Sequence, residues 1–140
     1  MSLDRIRLAS LHDKVMSADS AAAFIKDGMT VGISGFTRSG DAKAVPLALV
    51  ERTKVQPLKI SLISGASIGN DLDKRMTEAG LIARRMPFQV DATLRRAINS
   101  GEVMYVDQHL SDTVEQMRNL QLKKPDIAVV EATAITEDGS

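Results

Sequence analysis

Thr30-Val31-Gly32-Ile33-Ser34-Gly35, then Phe36-Thr37-Arg38-Ser39-Gly40-Asp41-Ala42-Lys43-Ala44, then Val45-Pro46-Leu47-Ala48-Leu49-Val50-Glu51-Arg52 reads as a strand, a glycine-rich turn and a helix. The opening residues are β-branched or apolar, with glycines where another backbone or a ligand must come close, which describes a buried strand. Pro46 lacks an amide hydrogen and clashes with a preceding turn, so it fits the first helical position and predicts a helix start near Val45. Val45, Ala48, Leu49 and Arg52 follow at helical spacing. The connection Phe36 to Ala44 is longer than the usual ~2–6 residues. Gly32, Gly35 and Gly40 leave amides unshielded, and a helix amino terminus beyond them favours negative charge. The chemistry suggested is capture of an anionic or carbonyl oxygen, with Arg38 and Lys43 adding cationic reach. By pattern alone, glycines that merely let the chain turn fit as well.

The same unit recurs along the chain. Upstream, Leu3 to Lys14 carries Leu3, Ile6, Leu8 and Leu11 at helical spacing, with Val15 just beyond, and predicts an amphipathic helical arm. Ser17 is the expected N-cap of a second helix with Ala21, Phe24 and Ile25 inward, closed by Gly28. Downstream, Lys59-Ile60-Ser61-Leu62-Ile63-Ser64 is a second strand, followed by the small-residue turn Gly65-Ala66-Ser67-Ile68-Gly69. Asn70 or Asp71 caps a helix carrying Leu72, Met76 and Ala79 and stopped by Gly80. A short strand lies within Leu81 to Phe88, and Asp91 caps a helix with Leu94, Ala97 and Ile98 inward, closed by Gly101. Val103-Met104-Tyr105-Val106 is the fourth strand. Asp112 and Glu115 have capping-box spacing with Ser111 as a rival cap, and Val114, Met117 and Leu120 predict a buried stripe. Ile127 to Ala132 is the fifth strand. The expectation is an α/β domain over residues 1–140, with an open, mostly parallel sheet covered by helices. Its ligand edge gathers Gly35 to Lys43, Gly65 to Asn70, Arg85 to Asp91, Asp107 to Ser111, and Glu131 to Thr133.

Composition narrows the function. The 140 residues carry 18 basic and 18 acidic side chains, so no basic stripe offers itself to nucleic acid and no polybasic patch to a membrane. No cysteine is present, which excludes disulfides, thiolate catalysis and thiolate metal sites. Met1-Ser2-Leu3-Asp4-Arg5 lacks a signal-peptide core and no apolar run reaches membrane length, so a cytoplasmic setting is expected. Two isolated histidines, His12 and His109, do not make a metal site. Gly35 to Gly40 has the span of a phosphate loop but continues with Asp41-Ala42 where lysine and a hydroxyl residue belong. Gly32-Ile33-Ser34-Gly35-Phe36 fails as a serine nucleophile elbow at its last position.

Individual residues retain two readings. His109 fits a hydrogen-bonded turn residue better than a catalytic base. Glu131 at a strand end is a nucleophile or base if burial raises its pKa, and otherwise a cap or an arginine partner. Ser67 contacts a carboxylate or caps a helix, with Gly65 and Ala66 leaving space for the former. Arg85 neutralises a carboxylate or pairs with Asp91.

Ser34-Gly35-Phe36-Thr37 with Gly40, Lys43 and Pro46, then Leu62 to Ser67, Arg85-Met86-Pro87-Phe88, Asp107-Gln108-His109-Leu110-Ser111, and Val130 to Gly139 together resemble the acetyl-CoA hydrolase/transferase family, within the class I CoA-transferases. The resemblance covers nearly the whole chain in order. It implies an enzyme of two related α/β domains, in which a glutamate attacks an acyl-CoA and carries CoA as a glutamyl thioester to another carboxylate, or to water. That glutamate and most CoA contacts belong to the second half in this family, so no catalytic residue is expected in this chain, and Glu131 does not inherit the role. Glu137-Asp138-Gly139-Ser140 is a turn signal normally placed between strands, in keeping with a front portion that lacks its C-terminal domain. The resemblance places Ser67 against the acyl or carboxylate group; Gly35, Phe36, Thr37, Gly65 and Ala66 are expected to line the acyl pocket with it, and Arg85 is a further substrate-binding candidate. Some members carry a threonine where this chain has Val90, which leaves acetate, propionate and succinate open as acceptors. Coenzyme A is then a co-substrate, with no tightly bound cofactor and no metal, and a homodimer is expected. The alternative is a non-catalytic sugar-phosphate or effector-binding module on a similar sheet, which calls for a phosphate site and a DNA-binding helix pair. A sugar-phosphate isomerase fits least.

Overall fold

The computed structural model describes residues 3–69 and 71–140. Asn70, one of the two rival caps, and Met1 and Ser2 at the start of the chain lie outside the described residues. Strands β1 (Thr30–Ile33), β2 (Ile60–Ser64), β3 (Ile82–Met86), β4 (Met104–Tyr105) and β5 (Ile127–Val129) form one sheet in the order β4-β3-β2-β1-β5, every pair parallel. The helices are α1 (Ala18–Ala22), α2 (Ala44–Thr53), α3 (Leu72–Glu78), α4 (Ala92–Asn99) and α5 (Leu110–Arg118).

Right-handed crossovers decide which face each helix covers. The steps from β1 through β4 all move one way across the sheet, so α2, α3 and α4 share a face, and α1 packs against α2. The step from β4 back to β5 reverses and leaves α5 on the other face. The sheet period of two sorts the side chains accordingly. Val31, Ile33, Ile60 and Leu62 point into the four-helix side and meet Leu49, Leu72, Met76 and Leu94, all buried. Gly32, Ile63 and Ala128 point toward α5.

Several caps follow from their chemistry. Ser17 Oγ accepts from Ser20 N at the start of α1, and Asp91 accepts from Thr93 N and Leu94 N at 2.8 Å each at the start of α4. Asp71 occupies the N-cap position of α3 with φ 58° and makes no side-chain cap bond. At α5 the cap is His109, whose ring accepts from Ser111 N, so neither Asp112 nor Ser111 fills that place.

Four further expectations are corrected. Leu3 to Lys14 is not one helix but two short 3-10 turns, Leu3–Arg5 and Ala9–Lys14. Between them the chain is extended: Ile6 bridges Ile135, Ile135 N donates to Arg5 O, and Arg7 N to Ile135 O, so a long-range pairing outcompetes local helix. Phe24 is 61% exposed rather than inward; α1 ends at Ala22, and Ala22 and Ile25 take the interior. Gly28 has φ 75° but lies in the turn that precedes β1, its amide donating to Lys59 O, instead of closing α1, which ends at Ala22. The α5 stripe is also thinner than its period implies, because Val114 and Leu120 are exposed and only Thr113 is fully buried.

Candidate functional site

Ligand-contacting loops of parallel sheets lie outside the strand carboxyl ends, most often where the strand order changes direction. Here that point falls at β1, with β2, β3 and β4 to one side and β5 to the other. Residues 34–43 after β1 occupy the switch point, and residues 65–69 after β2 sit beside them.

The two turns dock backbone against backbone. Thr37 N donates to Ser67 O at 2.9 Å, and Thr37 and Ile68 form a parallel bridge. Glycine permits the approach: a Cβ on Gly65 would lie 3.0 Å from Gly35 O, and one on Gly69 would lie 2.2 Å from Thr37 O. Phe36 and Ser39 pair across a tight hairpin, with Thr37 at φ 59°, a conformation costly for a β-branched residue. These glycines therefore serve contact between turns. The docked pair presents an exposed rim and leaves no open space between the two turns.

The residues assigned to substrate binding separate into two layers. Gly35, Phe36, Thr37 and Gly65 are half-buried or exposed and form the rim. Ala66, Ser67 and Arg85 are buried beneath it. Arg85 is 0% exposed; its Nε donates to Asp73 Oδ1 at 3.1 Å, its Nη2 to Ala66 O at 2.9 Å, and its Nη1 to Met86 O. The guanidinium pairs with Asp73, while Asp91 caps α4. Ser67 Oγ donates to Asp73 Oδ2 at 3.2 Å and accepts from Val90 N at 3.4 Å. Val90, without a hydroxyl, joins this node through its amide.

A second polar cluster stands at the switch point itself. Ser34 Oγ donates to Gly40 O at 2.6 Å and accepts from Glu131 N at 2.9 Å, tying the β1 turn to the end of β5. Lys43 Nζ donates to Glu131 Oε1 at 3.1 Å and to Asp41 O at 3.0 Å. The hydrogen bond that Lys43 donates to Glu131 leads the causes that raise the Lys43 pKa above its ordinary value. Glu131 is thus an exposed partner of a lysine, not a buried base. Neither its pairing with Lys43 nor the Ser34 link is visible without knowing that β5 lies next to β1.

Asp73 and Gly69 carry much of the arrangement and have little sequence signature. An aspartate in the first turn of a helix reads as a solvent-facing complement to the helix dipole, whereas Asp73 is buried. Below the rim, an apolar cleft of about 370 Å³ runs between the sheet and α5, lined by Gly32, Ile63, Val114, Met117, Ala128 and Val130. His109 Nδ1 lies 2.7 Å from Ser111 Oγ, and His12 Nε2 lies 2.7 Å from Ile6 O. Among the described residues, no group of three or more His, Cys, Asp or Glu could hold a metal, and no helix is long and apolar enough to cross a membrane.

Comparison with known proteins gives a consistent result. The family model for the acetyl-CoA hydrolase/transferase N-terminal domain matches residues 2–140. A succinyl-CoA:acetate CoA-transferase of Clostridium kluyveri is 44% identical over 137 residues, covering 96% of this chain and 26% of that protein. An acetyl-CoA hydrolase of Schizosaccharomyces pombe is 38% identical over 146 residues, covering 96% of this chain and 28% of its own length. The crystal structure of an acyl-CoA transferase from Escherichia coli O157:H7 superposes with a TM-score of 0.61 at 18% identity, over 74% of this chain and 22% of that one. The likeness in structure speaks for the fold. These relatives are CoA-transferases and hydrolases, so the effector-module alternative is not favoured.

Proposed function

The chain belongs to the acetyl-CoA hydrolase/transferase family, matched by its N-terminal domain, and from this we propose that it supplies the substrate-side domain of an enzyme acting on short acyl-CoA esters. The whole enzyme transfers CoA to a short carboxylate such as acetate, propionate or succinate, or hydrolyses acetyl-CoA. The observation that carries the reading is the docking of two small-residue turns at the switch point, where Gly65 meets the Gly35 carbonyl. Such a rim offers backbone polar groups beside the exposed ring of Phe36, which suits a thioester flanked by apolar carbon. Gly35, Phe36, Thr37 and Gly65 are the contacting residues in this reading, with Ala66, Ser67 and Arg85 supporting them.

The chain spans about a quarter of the length of the two relatives, 26% and 28%. The reacting glutamate is assigned to a further domain, coenzyme A is a co-substrate, the enzyme is a homodimer, and its setting is cytoplasmic. A chimaera tests this: the matching amino-terminal portion of the Clostridium kluyveri transferase is replaced by this chain and assayed with succinyl-CoA and acetate. The chimaera is expected to turn over and the 140-residue chain alone to be inactive. A folded but inactive chimaera, or turnover by the chain alone at the chimaera's rate, would overturn the proposal.

A further inference from the structure

We infer that Asp73 is a positioning residue for the rim, acting through Ser67, Ile68 and Arg85. Its carboxylate is 1% exposed. Oδ1 accepts from Arg85 Nε at 3.1 Å. Oδ2 accepts from Ile68 N at 3.1 Å, from Ser67 Oγ at 3.2 Å and from Arg85 Nη2 at 3.4 Å. A buried charge that needed only a counterion would be met by Arg85 alone. Here the pair also grips three consecutive residues of one turn: Arg85 takes the Ala66 carbonyl, and Asp73 takes the Ser67 hydroxyl and the Ile68 amide.

Gly65, Ala66 and Ser67 have too little side chain to fix their own backbone by packing. Ordered hydrogen bonds from a rigid buried group supply that constraint. The opposite side of the same turn receives the hairpin, through Thr37 N on Ser67 O and the Thr37–Ile68 bridge. Asp73 on α3 and Arg85 on β3 therefore set where Gly35, Phe36 and Thr37 stand, although neither reaches the rim. The consequence for acyl-CoA rests on the reading of the rim given above, but the positioning belongs to the chain itself and is tested without ligand.

The test is amide hydrogen exchange, followed by NMR, on the 140-residue chain. Asp73→Asn removes the charge and keeps the shape. The paired variant Asp73→Leu with Arg85→Met removes both charges and leaves none buried unpaired. In both, the amides of Thr37 and Ile68 are expected to exchange at least about tenfold faster, while Val31 and Leu62 in mid-strand stay within about twofold of the parent. Retained protection at Thr37 and Ile68 in the paired variant would overturn the inference. So would a loss that Val31 and Leu62 share equally, which is general destabilisation. A paired variant that does not fold also overturns it, because the pair is then a requirement of the whole fold.

Discussion

Replacing Gly69 by alanine sets two effects of opposite sign against each other. Gly69 is not in the left-handed region, so an alanine can adopt its backbone, and the reduced freedom of the unfolded chain alone would stabilise by about 0.4–1 kcal/mol. The new methyl carbon, however, would lie 2.2 Å from Thr37 O and 3.0 Å from Arg38 Cα. These are backbone atoms, which cannot swing aside as a side chain can. Ordinary contact requires the turns to part by about 1 Å, which forfeits the Thr37 N–H to Ser67 O bond and loosens the cover over Ile68, at a cost of about 2–3 kcal/mol. The clash wins, and the net expectation is a loss of about 1–2 kcal/mol. Urea denaturation followed by circular dichroism measures it. A Gly69→Ala chain as stable as the parent, or more stable, would refute the docking of the two turns.

Two ion pairs should behave differently on the same assay. Arg85→Ala strands the buried carboxylate of Asp73 and is expected to cost about 3–5 kcal/mol, whereas Glu131→Gln, at the exposed partner of Lys43, is expected to cost less than about 1 kcal/mol. Equal costs would contradict the burial assigned to the first pair. Asp126 ties β5 to β1 by accepting from Thr30 N at 2.7 Å, and its carboxyl is held below the ordinary 3.8, first by Lys123 and then by that amide. A lowered folded pKa stabilises fully above the unfolded value, and that stability is lost as pH falls through the folded one. Melting temperatures of the parent should therefore drop more steeply on acidification below about pH 4 than those of Asp126→Asn; parallel profiles would contradict this.

Strand and helix order was legible because each element carries its own local signal. Thr30–Ile33 and Ile60–Ser64 are β-rich runs, each closely followed by a glycine, and Ser17 and Asp91 are caps whose side chains do what their type predicts. Pro46 marked the neighbourhood of the α2 start, which lies at Ala44. What failed depended on distant partners. The extended Ile6–Arg7 segment is dictated by Ile135, over a hundred positions away in sequence and without any local mark. Phe24 and Val114 sit at helical spacing, but α1 is too short and α5 too lightly packed for that spacing to bury them. At the site, the glycines and the small-residue turn were visible as a pattern, and their contact with one another was not. Strand adjacency brings Gly35 to Gly65, Lys43 to Glu131, and Asp73 to Arg85, and a parallel sheet hides adjacency behind its crossovers.

Chemical-shift mapping of the nitrogen-15-labelled chain with acetyl-CoA shows whether the docked turns face the acyl-CoA. The rim at the strand carboxyl ends predicts the largest amide shifts at Gly35, Phe36, Thr37 and Gly65. No shift at those amides, or shifts confined to Gly28, Gly80 and Gly101 at the opposite edge of the sheet, would contradict it.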